Sequence, residues 1–316
     1  MARSFKRPKI ALIGAGQIGG NLALLCAQRD LGDVVLFDLN AGPAQGKALD
    51  LLQMGAADGF STAISGTQDA QDLAGSDVVI VTAGLPRKPG MSRDDLLDTN
   101  VKIMRDVAEK VRTHCPEAFV IVVSNPLDAL VYTMQKVAGL PKAMVVGMAG
   151  VLDSSRFRAF VAEKLRVSVL DVTAFVLGGH GDDMVPVVPF CSVGGVPLTQ
   201  LLPAADIAAI VDRTRKGGGE IVNLLKTGSA YFAPAASAVV MAESYLRDSR
   251  RVMAAAALCE GEYGLHDLFV GVPVIIGKGG VEKILQVELS EADRQALAVS
   301  ASHVRELVDE ANKRLK

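Results

Sequence analysis

One imidazole in this chain sits where it could move a proton. His180 lies in Gly178-Gly179-His180-Gly181-Asp182, at the end of an apolar run, between glycines that leave its ring little covered. The chain has four histidines, and His114, His266 and His303 have less distinctive neighbours. Upstream, Leu152-Asp153-Ser154-Ser155-Arg156 sets a carboxylate and a guanidinium at i and i+3 on a predicted helix, where both can point into one site. Two further stretches follow apolar runs. Gly84-Leu85-Pro86-Arg87-Lys88-Pro89-Gly90-Met91-Ser92-Arg93 has the prolines and glycines of a loop that moves as a flap, carrying its arginines into a site as it closes. Ser124-Asn125-Pro126 offers an amide with both a donor and an acceptor. Taken singly, each has an ordinary alternative: a core or surface histidine, an exposed ion pair, a solvated loop, a turn or helix N-cap. Together they hold what oxidation of a 2-hydroxy acid requires. An imidazole of near-neutral pKa accepts the hydroxyl proton, and a carboxylate behind it fixes the tautomer. One guanidinium grips a substrate carboxylate. A second polarises the forming carbonyl.

Such a reaction needs a hydride acceptor, and the start of the chain supplies a place for one. Ile10 to Ile13 is a short, uniformly apolar run, as expected of a strand buried on both faces. Gly14-Ala15-Gly16-Gln17-Ile18-Gly19 follows at once, then a helix-length segment, then Val34-Val35-Leu36-Phe37-Asp38. Strand, glycines, helix, second strand and terminal acid occur in the order of a dinucleotide-binding unit. Gly14 permits the turn, Gly16 the approach of a pyrophosphate, and Gly19 tight packing of the helix. The helix starting near Gln17 aims its free N–H groups at the phosphates. Asp38 can accept ribose hydroxyls and repels a 2′-phosphate, which predicts NAD rather than NADP.

The 316 residues are half hydrophobic and suit two lobes. A formal net charge of −2, with both signs interspersed, predicts no nucleic-acid and no membrane partner. Cys26, Cys115, Cys191 and Cys259 lie far apart in sequence, without metal-ligand or disulfide spacing, so no metal is expected. The basic start before Ile10 superficially resembles a signal peptide, but Gly14, Gly16 and Gln17 break the apolar run. A cytoplasmic protein is expected.

The pattern predicts an α/β fold. Residues 1–149 form a doubly wound, parallel, six-stranded Rossmann sheet, and residues 150–316 an α+β substrate domain with antiparallel strands. Strands are expected over Ile10–Ile13, Val34–Phe37, Thr62–Thr67, Asp77–Gly84, Phe119–Val123 and Met144–Gly147, with helices over Gly42–Gly55 and Arg93–His114. The second half predicts helices over Asp153–Leu165, Ile207–Leu225 and from Ser290, an N-cap, to Leu315. Its strands are expected over Val172–Leu177, Val185–Val193, Arg251–Cys259, Phe269–Ile276 and Val281–Leu289. Gly228-Ser229 either borders the substrate pocket or kinks a helix.

As a set these motifs, over nearly the whole chain, resemble the lactate/malate dehydrogenase superfamily, most closely its lactate-dehydrogenase-like malate dehydrogenases. The resemblance implies a tricarboxylic acid cycle enzyme that uses NAD to interconvert malate and oxaloacetate. It makes His180 the proton acceptor and Asp153 its partner, Arg156 the clamp on the C1 carboxylate, and Arg93 the group polarising the C2 oxygen. Asn125 then bonds the substrate oxygen beside the nicotinamide ribose, and Asn100 and the Val123 backbone line the cofactor site. Arg87 stands where lactate-specific relatives resemble Gln; a guanidinium there pairs with a second carboxylate and is left unpaired by pyruvate. Sites built around a polar partner reject analogues lacking it by roughly 10⁴–10⁵. The resemblance also implies a homotetramer, with a dimer as the alternative; few residues precede the first strand, so a long N-terminal bracing arm is not expected. A lactate or other 2-hydroxyacid dehydrogenase, and a non-catalytic NAD sensor, are the competing readings. A sensor has no need of His180, Asp153 or the loop arginines.

Overall fold

The computed structural model describes residues 7–85 and 93–315. The chain runs β1 (Lys9–Ile13), α1 (Gln17–Gln28), β2 (Asp33–Phe37), α2 (Ala41–Asp58), β3 (Ile64–Thr67) and β4 (Val78–Val81). Next come α3 (Arg93–His114), β5 (Phe119–Val122), α4 (Leu127–Ala138), β6 (Val145–Gly147) and α5 (Gly150–Leu165). Short strands follow: β7 (Val172–Thr173), β8 (Val176–Leu177), β9 (Val185–Pro186), β10 (Ser192–Val193) and β11 (Val196–Pro197). The chain closes with α6 (Leu198–Leu201), α7 (Ala204–Leu225), α8 (Phe232–Leu246), β12 (Arg251–Glu260), β13 (His266–Gly277), β14 (Gly280–Ile284) and α9 (Glu291–Leu315).

Six parallel strands lie in the order β3-β2-β1-β4-β5-β6, so the winding reverses between β1 and β4. Ligands of open α/β sheets bind outside the carboxyl ends of the strands at such a reversal. Alternate residues of each strand belong to opposite layers, which is why the strands read as unbroken apolar runs. Ala11, Ile13, Val79, Val81, Val120 and Val122 pack with α3, α4 and α9. Ile10, Leu12, Val78, Ile80, Phe119 and Ile121 pack with α1 and α8. A separate cluster around Phe157, Val161, Val176 and Met184 joins α5 to the short strands and α7.

Three features differ from the sequence pattern. The antiparallel strands β12, β13 and β14 do not form a detached sheet: β12 pairs with β6 at Ala256 and Gly147, so one nine-stranded sheet crosses both halves. The runs expected as single strands over Val172–Leu177 and Val185–Val193 each break into two short strands that join different sheets, and β14 ends at Ile284 rather than Leu289. Finally, α4 and α8 were not expected. Most residues of each are buried, from Leu127 through Met134 in α4 and from Pro234 through Ala242 in α8 apart from two. In α8, burial on most sides removes the polar stripe that gives a helix its sequence period; α4 keeps a polar side and was not expected although its period is present. Ser290 does cap α9, its Oγ accepting the Asp293 N–H at 3.1 Å.

Candidate active site

The glycine loop sits at the sheet's reversal point, and its geometry explains its sequence. Gly14 has φ +112°, and a Cβ there would lie 2.6 Å from Thr82 Oγ1. A Cβ on Gly19 would lie 1.9 Å from the carbonyl oxygen of Gly14, so the close contact is with the loop itself as much as with the strand. Gly16 has open space where its Cβ would be, as a group approaching the backbone requires. Two side chains hold the loop. Asp38 Oδ2 accepts the Ala15 N–H at 2.8 Å while its Oδ1 accepts the Asn40 N–H at 3.2 Å. Lys47 reaches back from α2 to donate to the carbonyls of Ala15 at 2.8 Å and Gly16 at 2.6 Å. Partial burial lowers its pKa, and the charge of Asp38 partly restores it. Lys47 falls within the helix expected over Gly42–Gly55, with no role legible from its sequence position.

A cleft of about 520 Å³ opens beside this loop, lined among others by Gly16, Gln17, Ile18, Asn100, Val123 and Asn125. Asn100 is buried and ties its walls together. Its Oδ1 accepts the Leu85 N–H at 2.8 Å, and its Nδ2 donates to the carbonyls of Leu85 and Asn125 at 3.1 and 2.7 Å. Gly228 and Ser229 lie in the loop between α7 and α8 and line the same cleft, so they do not kink a helix.

The cleft continues into a second of about 310 Å³, with Ile18, Val123, Asn125, Ser229 and Ala230 shared by both. Arg156, His180, Asp182 and Arg215 line this inner part. Behind Arg156 and His180 lies Asp153, 2% exposed in the first turn of α5, where the helix dipole favours a carboxylate. Asp153 Oδ2 meets His180 Nδ1 at 2.8 Å, and Oδ1 accepts from Arg156 Nη1 at 2.9 Å. Arg156, its partner by helical spacing, and His180, distant in sequence, are thus joined through one carboxylate. Gly217 of α7 leaves room for the guanidinium; a Cβ there would stand 3.2 Å from Arg156 Cδ. Burial opposes a charge on His180, but the charge and hydrogen bond of Asp153, aided by Asp128, outweigh burial and the opposing charge of Arg156. The imidazole pKa is therefore raised.

The loop bearing His180 is held from two helices. Its own N–H donates to Asp128 Oδ2 of α4 at 2.9 Å, and the Gly179 N–H donates to Ser300 Oγ of α9 at 2.9 Å. Neither anchor was read from the sequence. The motif Ser124-Asn125-Pro126 ends two residues before Asp128, and nothing in spacing ties Ser300 to His180. Of the candidates from sequence, Arg87 and the side chain of Arg93 lie outside the described residues. The cysteines take no part: all four are buried, and burial pushes the Cys26 and Cys259 thiols up to about 12 and those of Cys115 and Cys191 up to about 11. Among the described residues no group of three His, Cys, Asp or Glu could hold a metal ion, and no helix is long and apolar enough to cross a membrane.

Nearly the whole chain matches two family models, the NAD binding domain of lactate/malate dehydrogenase over residues 8–147 and its alpha/beta C-terminal domain over residues 150–315. The chain belongs to the lactate/malate dehydrogenase family. Residues 8–147, which include the glycine loop, thus form an NAD-binding domain. A malate dehydrogenase of Myxococcus xanthus is 60% identical over 311 residues, covering 98% of this chain and 99% of that protein. Among solved structures, Cryptosporidium parvum malate dehydrogenase superposes with a TM-score of 0.95 at 48% identity, covering 97% of this chain and 99% of the other. The lactate dehydrogenase of the same organism, in complex with lactic acid and NAD, gives 0.95 and 48% with coverage of 98% and 99%. Backbone similarity is therefore equal towards the two activities, and side chains must separate them.

Proposed function

We propose that this chain is an NAD-dependent malate dehydrogenase, interconverting (S)-malate and oxaloacetate. The observation that carries this reading is the Asp153 carboxylate, joined to His180 on one side and Arg156 on the other, both of which line a cleft continuous with the glycine loop. Residues Gly14, Ala15, Gly16, Gln17, Ile18 and Gly19 would hold the pyrophosphate of NAD, Asp38 its adenosine ribose, and Asn100, Val123 and Asn125 its nicotinamide half. NAD, when bound, supplies the acceptor or donor of the C2 hydride.

The protein's own groups do the rest. With Nδ1 donating to Asp153, the neutral ring keeps its lone pair on Nε2, the nitrogen that takes the proton of the C2 hydroxyl. Asp153 stabilises the imidazolium that forms. The Arg156 guanidinium pairs with the C1 carboxylate. Arg93 polarises the C2 oxygen when its loop closes, and Arg87 pairs with the second carboxylate, which favours malate over lactate. We assign residues 1–149 to cofactor binding and 150–316 to substrate binding, in keeping with the seam between the two family models.

We further infer a cytoplasmic enzyme of the tricarboxylic acid cycle; four buried free thiols suit a reducing compartment. We also infer a homotetramer built as a dimer of dimers. Leu49 and Leu52, 56% and 54% exposed on α2 of the single chain, support burial against another copy. The deciding experiment follows reduced-nicotinamide absorbance after addition of oxaloacetate or pyruvate. Rapid loss with oxaloacetate alone is expected. Preference for pyruvate would favour the lactate dehydrogenase reading, which the equal likeness to the Cryptosporidium parvum lactate enzyme keeps specific.

A further inference from the structure

Asp128 is a carboxylate with an unusual position. It lies in the first turn of α4, 4% exposed. One oxygen, Oδ2, accepts the His180 N–H at 2.9 Å; the other, Oδ1, is buried with no hydrogen-bond partner among the described residues. Burying a carboxylate oxygen without a protein partner is costly, more so than for a neutral acceptor. A residue serving only to hold the loop would not need the charge: the amide of Asn accepts the same N–H.

We propose that Asp128 is a positioning residue for His180, fixing the main chain of its loop and supplying the second negative charge that stabilises the imidazolium. The inference rests on the reading of His180 as the proton-transfer group. Charge counting gives the reason. Asp153 is shared, because Arg156 draws on one of its oxygens and His180 on the other. With imidazolium present, Arg156 and His180 carry two positive charges against the single negative charge of Asp153. In the substrate-free site Asp128 brings the cluster to balance once the ring is protonated. With neutral imidazole the cluster bears one excess negative charge, which draws the proton in.

The surroundings leave these groups to act on one another. The titratable groups acting on Asp128 are His180 and Asp153, and Arg156 acts on the imidazole. From α9, the side chains at the Gly179 turn are Ser300 and Val304, both uncharged, while His303 is turned to an exposed pair with Asp183. Burial pushes the Asp128 carboxyl up to about 6, against the His180 N–H bond and charge that hold it down, so it is mostly ionised in neutral and alkaline solution.

The test uses Asp128→Asn, which deletes the charge and keeps the acceptor, beside Ser300→Ala, which frees the Gly179 N–H and changes no charge. Ring ¹⁵N NMR follows the titration of His180, its signal assigned by its absence in His180→Asn. In Asp128→Asn the His180 pKa is expected to fall by roughly one pH unit, and in Ser300→Ala to stay where it is. The alkaline limb of oxaloacetate reduction should move to lower pH by the same amount in Asp128→Asn, with kcat on the acid side kept. An unmoved His180 titration in Asp128→Asn, or an equal shift in Ser300→Ala, overturns the proposal. Should Asp128→Asn not fold, ¹³C NMR of the wild-type carboxyl decides: Asp128 and His180 sharing inflections supports it, and independent titration overturns it. Because NMR titration needs no turnover, a wild type inactive towards oxaloacetate would sink the functional reading and still leave this question answerable.

Discussion

Replacing Asp153 by Asn is the sharpest single perturbation of the site. Both carboxylate oxygens are committed as acceptors, Oδ1 to Arg156 Nη1 at 2.9 Å and Oδ2 to His180 Nδ1 at 2.8 Å. An amide has one oxygen and one NH₂. If the oxygen stays with Arg156, the NH₂ faces His180 and forces Nδ1 to accept, which moves the ring proton to Nε2. That tautomer has no lone pair where the substrate proton must go. If the amide turns over, NH₂ faces a guanidinium, donor against donor, and Arg156 loses its anchor. Either arrangement forfeits a hydrogen bond to a charged group, about 1.5–3 kcal/mol, and removes the charge that stabilises imidazolium. Together these amount to roughly 3–5 kcal/mol of transition-state stabilisation, or about 10²–10⁴-fold in rate. Steady-state malate oxidation across a pH series measures this, with NADH fluorescence checking that the cofactor still binds. The wild-type profile has a fixed sign. Oxidation needs neutral imidazole, so its rate falls as pH drops through the raised His180 pKa; reduction needs imidazolium and falls as pH rises through it. In Asp153→Asn both limbs shift to lower pH. A kcat/KM within a factor of about three of wild type, with unmoved limbs, would refute the assignment of Asp153.

Three other substitutions probe separate parts of the site. His180→Asn should bind NADH normally and lose about 10³-fold or more in turnover; near-normal turnover removes the proton-transfer role. Arg87→Gln should lower kcat/KM for oxaloacetate by at least about 10²-fold and raise relative activity on pyruvate, with an unchanged ratio showing that another residue discriminates. Gly19→Ala places a Cβ where only 1.9 Å separates it from the Gly14 carbonyl, so calorimetry should find NADH affinity lost while the far side of the fold stays intact. Unaltered affinity would mean that the loop can shift without consequence for the cofactor.

Local order was written in the chain. The apolar run of β1, its glycines, α1 and Asp38 were readable because neighbours in sequence are neighbours in space there, and burial on both sheet faces leaves an uninterrupted hydrophobic signature. The limits of α3 and the cap of α9 at Ser290 came from periodicity and hydroxyl chemistry that act within a few residues. The pairing of Asp153 with Arg156 was a helical spacing. What sequence could not decide was which distant groups converge. The nine-stranded sheet depends on β12 meeting the edge of β6, a contact between Ala256 and Gly147 that no local pattern encodes. Lys47 reached the glycine loop, and Asp128 and Ser300 the His180 loop, through helices folding back across the molecule. Each of those residues is ordinary where it stands in the sequence. A lysine is a polar helix position and an aspartate a helix-start residue until packing brings a loop against it. Burial then turns a common carboxylate into a group that governs a neighbour's proton, because dielectric and partner distance belong to the folded chain alone.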